Sequence, residues 1–148
     1  MIAILQRVNS SKVIINNKTY SKINKGLLVL LGIDKNDNKI DIDYLINKIL
    51  HLRIFNDLNK KMNLSILDIK GEILIVSQFT LIGDTKKGRR PSFINAAPPQ
   101  LARKLYNTFI DELKSYNNLV VQHGEFGANM DIELINHGPV TFTLDSKN

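Results

Sequence analysis

The chain has no cysteine among its 148 residues, which excludes disulfides, thiolate metal sites and cysteine nucleophiles. It also lacks a long apolar run. The opening Met1-Ile2-Ala3-Ile4-Leu5 meets Gln6 and Arg7 at once. That is too short for the core of a signal peptide, and no later stretch approaches membrane-spanning length. A cytoplasmic protein with no membrane partner is the expectation. Metal-ligating patterns are missing as well: His51, His123 and His137 are scattered, and neither His-Glu-x-x-His nor an acidic calcium loop occurs. Gly124-Glu125-Phe126-Gly127 has the wrong spacing for either nucleotide-binding glycine fingerprint. The expectation is no metal and no cofactor.

What is present is ordinary in bulk and uneven in charge. Hydrophobic residues make up 43% and charged residues 23%, typical of a globular chain. The length suits one domain over residues 1–148 with an adequate core. Twenty Lys and Arg against 14 Asp and Glu leave a formal charge of +6, which favours a polyanionic partner but says nothing about fold.

Ile2 to Val8 reads as a strand and Lys12 to Ile15 as a second, with a turn at Asn16-Asn17 leading into Thr19 to Ile23. Gly26 opens the apolar run Leu27 to Ile33, whose length suits a strand buried on both faces. Asp37 or Asn38 caps a helix in which Ile42, Leu45, Ile46, Ile49 and Leu50 share a face, ending near Arg53. Asn56 to Asn63 is polar and turn-like. Ile73 to Val76 is a second buried strand. Pro98-Pro99 start a second helix with Leu101, Leu105, Phe109 and Leu113 on one face. Leu119 to Gln122 and a terminal pair, Met130 to Ile135 and Val140 to Leu144, complete the strands. The fold class is mixed α/β (α+β): one compact domain of layered β-sheets with two main helices. Its extended apolar strands leave an edge to hide, which makes a homodimer reasonable.

Three stretches carry candidate chemistry. Ser77-Gln78-Phe79-Thr80 ends a buried strand. It either terminates that strand or presents a hydroxyl, an amide and backbone N–H groups to a polar substrate. No His-Asp pair has the spacing to activate Ser77 or Thr80. Lys86-Lys87-Gly88-Arg89-Arg90-Pro91 is either solvated surface or a phosphate contact. Gly138-Pro139, between His137 and Val140, reads locally as a turn. Its other reading is a pair that presents bare backbone to a ligand.

Taken together, motifs spread over the whole length resemble the bacterial and eukaryotic type of D-aminoacyl-tRNA deacylase. They are Leu5-Gln6-Arg7-Val8, Gly26 to Gly32, Lys61-Met62-Asn63-Leu64-Ser65 and Ser77-Gln78-Phe79-Thr80-Leu81. Further on stand Lys87 to Phe93, Ala96-Ala97-Pro98-Pro99, Phe126 to Met130 and Asn136 to Thr141. The resemblance implies a cytoplasmic homodimer that hydrolyses the ester of D-aminoacyl-tRNA, clears glycine from mischarged tRNA and spares L-aminoacyl-tRNA. It implies a cis Gly138-Pro139 bond inserted into the partner's pocket, where backbone carbonyls hold the substrate amino group and an L side chain is excluded. Arg7 would steady that pair. Ser77, Gln78, Phe79 and Thr80 would surround the scissile ester, with Met130 beside the pocket. Lys86, Lys87, Arg89 and Arg90 are the expected tRNA contacts. One departure from the family is His137, where an acidic residue is usual.

Two routes to hydrolysis are open on this reading. Thr80 attacks the ester as a nucleophile, which needs a base, or the site orients substrate and water with help from the terminal 2′-hydroxyl of tRNA. The second is favoured. The rival functions are a non-catalytic RNA-binding module and a hydrolase of small esters that needs no tRNA.

Overall fold

Residues 1–147 are described in a computed structural model. In chain order the elements are β1 (Ile2–Ile15), β2 (Lys18–Ile23), β3 (Gly26–Gly32), α1 (Lys39–His51), β4 (Phe55–Asn56) and β5 (Met62–Leu64). Then come β6 (Glu72–Ser77), a single 3-10 turn (Phe79–Ile82), α2 (Pro99–Lys114), β7 (Val120–His123) and β8 (Asp131–Asp145). Strand β1 is the spine. Its first half pairs antiparallel with β3, from Ile2 opposite Gly32 to Val8 opposite Gly26. On the same edge its second half pairs with β2 across Asn16-Asn17, both at positive φ as a two-residue hairpin turn requires. The other edge of β1 takes β8 along almost its whole length.

Strands β6 and β7 extend the sheet beyond β3 in parallel, giving the order β2-β1-β3-β6-β7 with β8 on the far side of β1. The sheet curls until its ends meet, and Ser21 Oγ on β2 donates to the His123 carbonyl of β7 at 2.8 Å. Residues alternate between the two sides at a period of two. Leu27, Val29, Leu31, Ile73 and Ile75 pack under the helices, while Leu28, Leu74 and Val76 meet Val8, Val13 and Ile23 inside the curl. Burial on both faces is why β3 and β6 read as continuous apolar runs. Close approach also fixes Gly26, where an added Cβ would lie 1.8 Å from the Glu72 carbonyl oxygen.

Helix α1 is capped as expected. Asn38 Oδ1 accepts from Ile40 N at 2.9 Å, and Asp41 Oδ2 accepts from Asn38 N at 2.9 Å, a reciprocal capping box. In α2, Pro99 sits in the first turn and the buried face is Leu105, Tyr106, Phe109, Ile110 and Leu113. The mixed α/β fold with two helices is the one expected. The layering is a single curled six-stranded sheet plus the two-stranded β4–β5 unit. No helix among the described residues is long and apolar enough to cross a membrane.

Four boundaries depart from the sequence reading. Helix α1 stops at His51 because Leu52 turns extended, ψ 125°. The two short N-terminal strands are one strand, β1, with pairing shifts flanking Val8. The polar stretch after Asn56 is a hairpin turn between β4 and β5, in which Asp57 Oδ1 accepts from Asn59 N and Lys61 N. The terminal pair is likewise one strand, β8, and Gly138-Pro139 bulges from within it rather than joining two strands.

The end of β8 is tied to the start of α1 by a buried ionic cluster. The Met1 ammonium donates to Asp37 Oδ1 at 2.7 Å and to Ser146 Oγ at 2.8 Å. Ser146 Oγ donates to Asp41 Oδ1 at 2.6 Å, where Lys147 Nζ also lies at 2.7 Å. Burial opposes ionisation of Asp41, but hydrogen bonds from Lys147, Ser146 and the Asn38 amide outweigh it and hold its carboxyl down at about 2. A depressed carboxylate stabilises the fold above its unfolded value, 3.8, and loses that contribution as pH falls through the folded value. Asp41→Asn is therefore expected to cost about 1–2 kcal/mol at pH 7. It should also flatten the loss of stability between pH about 4 and about 2, read from urea unfolding across that range. An equal acid slope in both proteins would remove Asp41 from the acid response.

Candidate functional site

Parallel strands leave a crevice at their C-terminal ends, and here it lies where β3, β6 and β7 finish. Ser77 ends β6 opposite Leu31, and the Gln78 amide donates to the Leu31 carbonyl at 2.8 Å. The chain then tightens into the 3-10 turn, whose first amides have no carbonyl of their own turn to bond. Beside it opens a cavity of about 570 Å3 lined by Ser77, Gln78 and Phe79 on one side and by Phe126 and Met130 on the other. Its volume falls within the range of small-molecule sites.

The walls are held from behind. Tyr106 Oη donates to the Ile75 carbonyl at 2.9 Å, and its ring lies 5.6 Å from that of Phe126. Burial pushes the Tyr106 hydroxyl up from its ordinary value, so it stays a neutral donor. Arg103 lies over the Phe126 ring, its Cζ 5.0 Å from the ring centre. The Ala97 amide donates to the Ile33 carbonyl at 2.9 Å and sets the roof. Met130 packs where Gly124 leaves room, since a Cβ there would meet its sulfur at 2.7 Å.

Of the four strand-end residues, three line the cavity and Thr80 does not. The 3-10 turn rotates Thr80 outwards, where its exposed hydroxyl accepts from Gln78 Nε2. Among the described residues no imidazole or carboxylate hydrogen-bonds Ser77 or Thr80. His123 Nδ1 is bonded to the adjacent Gly124 carbonyl at 2.9 Å. No group of three or more His, Asp or Glu is placed to hold a metal ion among the described residues.

The neck of the basic loop reaches the lip of this cavity, while Lys86 lines a separate hollow with Asp34, Asp84 and Asp145. Asp84 and Ser92 close its neck through paired backbone hydrogen bonds of 2.8 and 2.9 Å. Lys86, Lys87, Arg89 and Arg90 are exposed and make no ion pair among the described residues. Phe93, just past the neck, packs edge-on against Phe79 with ring centres 4.9 Å apart. The foot of the loop thus rests on the cavity lip.

Gly138 and Pro139 are elsewhere. Thr141 pairs with Gln6 and Asn136 with Val8, so residues 137–140 bulge out opposite Arg7 alone. The pair is exposed, its peptide bond is cis, and it lines no part of its own chain's cavity. Arg7 is only 5% exposed. Its Nε donates to the His137 carbonyl at 2.8 Å and its Nη1 to the Ile54 carbonyl at 2.7 Å. Burial pulls the Arg7 guanidinium down from its ordinary value. Gly138 has φ +136°, and a Cβ on it would lie 2.7 Å from Arg7 Nη2.

Sequence reasoning assigned no role to Phe93, Phe126 or Arg103. A signal for Phe126 and for Phe93 was available in their motifs, Phe126 to Met130 and Lys87 to Phe93, but Arg103 reaches the site only through contacts made in the folded chain.

The comparisons agree over almost the whole chain. A family model described as D-Tyr-tRNA(Tyr) deacylase matches residues 4–145. A protein of Thermosipho africanus named D-aminoacyl-tRNA deacylase is 60% identical over 147 residues, 99% of this chain and 98% of that one. One of the same name from Clostridioides difficile is 57% identical over 146 residues, 99% of this chain and 97% of that one. A solved structure described as c-Myc DNA Unwinding Element Binding Protein superposes with a TM-score of 0.93 at 39% identity, covering 98% of each chain. Another, described as a probable eukaryotic D-amino acid tRNA deacylase, has a TM-score of 0.81 at 20% identity over 97% of each, which speaks to fold alone. With its whole folded length matched in this way, the chain belongs to the D-Tyr-tRNA(Tyr) deacylase family.

Proposed function

We propose that this chain hydrolyses the ester joining a D-amino acid to the 3′-terminal adenosine of tRNA. Water adds to the ester carbonyl, the bond to the ribose oxygen breaks, and that oxygen leaves with a proton. The observation that carries this reading is the strand-end cavity whose lip, through Phe79 and Phe93, supports an exposed loop of four cations that make no ion pair among the described residues. A polyanion held by the loop would run close to the cavity lip. Names borne by relatives at 57–60% identity point to the same substrate.

Selection falls to Gly138-Pro139 in a homodimer. The pair is exposed and clear of its own cavity, and among the described residues β8 pairs with β1 alone, with Leu134, Ile135 and Phe142 exposed. Both features favour insertion into the cavity of a partner subunit. There the carbonyls of Gly138 and Pro139 would hold the substrate ammonium. An L side chain would run into the same backbone, a D side chain would point away, and glycine would pass for want of any side chain. His137 meets Arg7 through its carbonyl, so the change from the family's usual acidic side chain leaves that anchor in place.

The exposed Thr80 hydroxyl, with no imidazole or carboxylate bonded to it among the described residues, speaks against a nucleophile. Orientation of the ester by Ser77, Gln78 and Phe79, with the terminal 2′-hydroxyl assisting water, needs no such base. The test is hydrolysis of matched D- and L-aminoacyl-tRNA, repeated on the aminoacyl-adenosine fragment. Release from the D form alone supports the proposal. Release from neither leaves a nucleic-acid-binding module, the reading that the name of the 39%-identical structure favours. Equal turnover of tRNA and fragment leaves a small-ester hydrolase. Replacing Lys86, Lys87, Arg89 and Arg90 together should weaken tRNA binding and lower its log–log salt slope by about 1 for each phosphate left unneutralised. An unchanged slope would return the loop to bulk solvent.

A further inference from the structure

The Gly138-Pro139 bulge is gripped from two directions, and only one of them is Arg7. On the other flank stands Asn136, half-buried and the last residue of β8 paired before the bulge. Asn136 Oδ1 accepts from Val140 N at 2.8 Å, and Nδ2 donates to Thr141 Oγ1 at 3.0 Å. The side chain therefore spans the neck of the bulge from its first side to its last. The bond to Val140 replaces a partner that the ladder does not provide: residues 137–140 face Arg7 alone, and pairing resumes only at Thr141. Pro139 has no N–H, so Val140 N is the first amide after the pair that can anchor it. Side-chain carbonyls of Asn serve this purpose in turns because they mimic a backbone acceptor.

We infer that Asn136 is a positioning residue for chiral selection: its clamp on Val140, with Arg7 on His137, sets the direction of the Gly138 and Pro139 carbonyls. The inference rests on the proposed role of that pair as the selector. A filter that works by collision depends on where its backbone stands to within a few tenths of an ångström. With Arg7 alone, the bulge is held at its entry, and its exit is first fixed where the ladder resumes at Thr141. Asn136 supplies the second fixed point, and no charge or proton transfer is asked of it.

The conservative change separates this role from general support. Asn136→Asp keeps the acceptor for Val140 and loses the donor to Thr141, whose hydroxyl can turn and donate instead. Asn136→Ala loses both. Rates of hydrolysis of D- and L-aminoacyl-tRNA by the full-length protein, with melting temperatures, read the difference. Asn136→Ala should reduce the D-over-L ratio about tenfold, the scale of one lost hydrogen bond, while melting cooperatively. Asn136→Asp should restore the ratio to within about twofold of the parent, since the Val140 bond is kept. A folded Asn136→Ala with the parent's ratio overturns the inference, as does an equal loss in both variants. The selector reading itself fails separately, if the parent protein does not distinguish the enantiomers or if Gly138→Ala leaves the ratio unchanged.

Discussion

Gly138→Ala is expected to lower kcat/KM for D-aminoacyl-tRNA by about 100-fold or more while the protein stays folded. The loss follows from two features of the bulge. A Cβ at this position would stand 2.7 Å from Arg7 Nη2 and 2.8 Å from Val140 Cγ2. Residue 138 also has φ +136°, which L residues rarely adopt. Arg7 is not free to yield, because it is buried and bonded to the Ile54 and His137 carbonyls. The bulge must move instead. Carbonyls aimed at a charged amino group then lose hydrogen bonds of about 1.5–3 kcal/mol each, which sets the scale of the effect. The residues that move are exposed, so the melting temperature should fall by only a few degrees, about 4 °C per kcal/mol. Discrimination should relax as well, because a displaced backbone no longer stands in the way of an L side chain. A folded Gly138→Ala protein with unchanged rate and D-over-L ratio would refute the selector role.

The second large effect concerns the substrate. A D-aminoacyl-tRNA ending in 2′-deoxyadenosine is expected to react about 100-fold more slowly or worse, the low end of what positioned proton transfer contributes. Thr80→Ala should retain activity to within about tenfold. The asymmetry follows from the site: Thr80 lies outside the cavity lining, its hydroxyl turned to the Gln78 amide, with no imidazole or carboxylate bonded to it among the described residues. Single-turnover rates with the two substrates and the two proteins decide the matter. Near-complete loss in Thr80→Ala, with normal turnover of the deoxy substrate, would make Thr80 the nucleophile and require a base from elsewhere.

Local chemistry was the legible part of the sequence. The run Leu27 to Ile33 announced β3 because both faces are covered, and the Asn38 cap of α1 is a relation between residues three apart. Ser77 to Phe79 could be placed at a strand end, and hence at a crevice, from the break in an apolar run. The outward turn of the Thr80 hydroxyl was not legible, because a 3-10 turn of four residues leaves no periodic signal. Gly138-Pro139 punctuates β8 locally, yet the ladder to β1 resumes at Thr141. Long-range pairing outweighs a local breaker there, and no short window contains that information. Phe93 on Phe79, and the Arg7 contact with the Ile54 carbonyl across 47 positions, arise only once the chain has closed on itself.

The bulge stands clear of the cavity formed by its own chain. If the two parts are exchanged between subunits as proposed, a defect at Gly138 and a defect at Ser77 fall in different halves of each composite site. Two inactive alleles of one gene would then complement each other. A mixed dimer would carry one site with both lesions and one with neither.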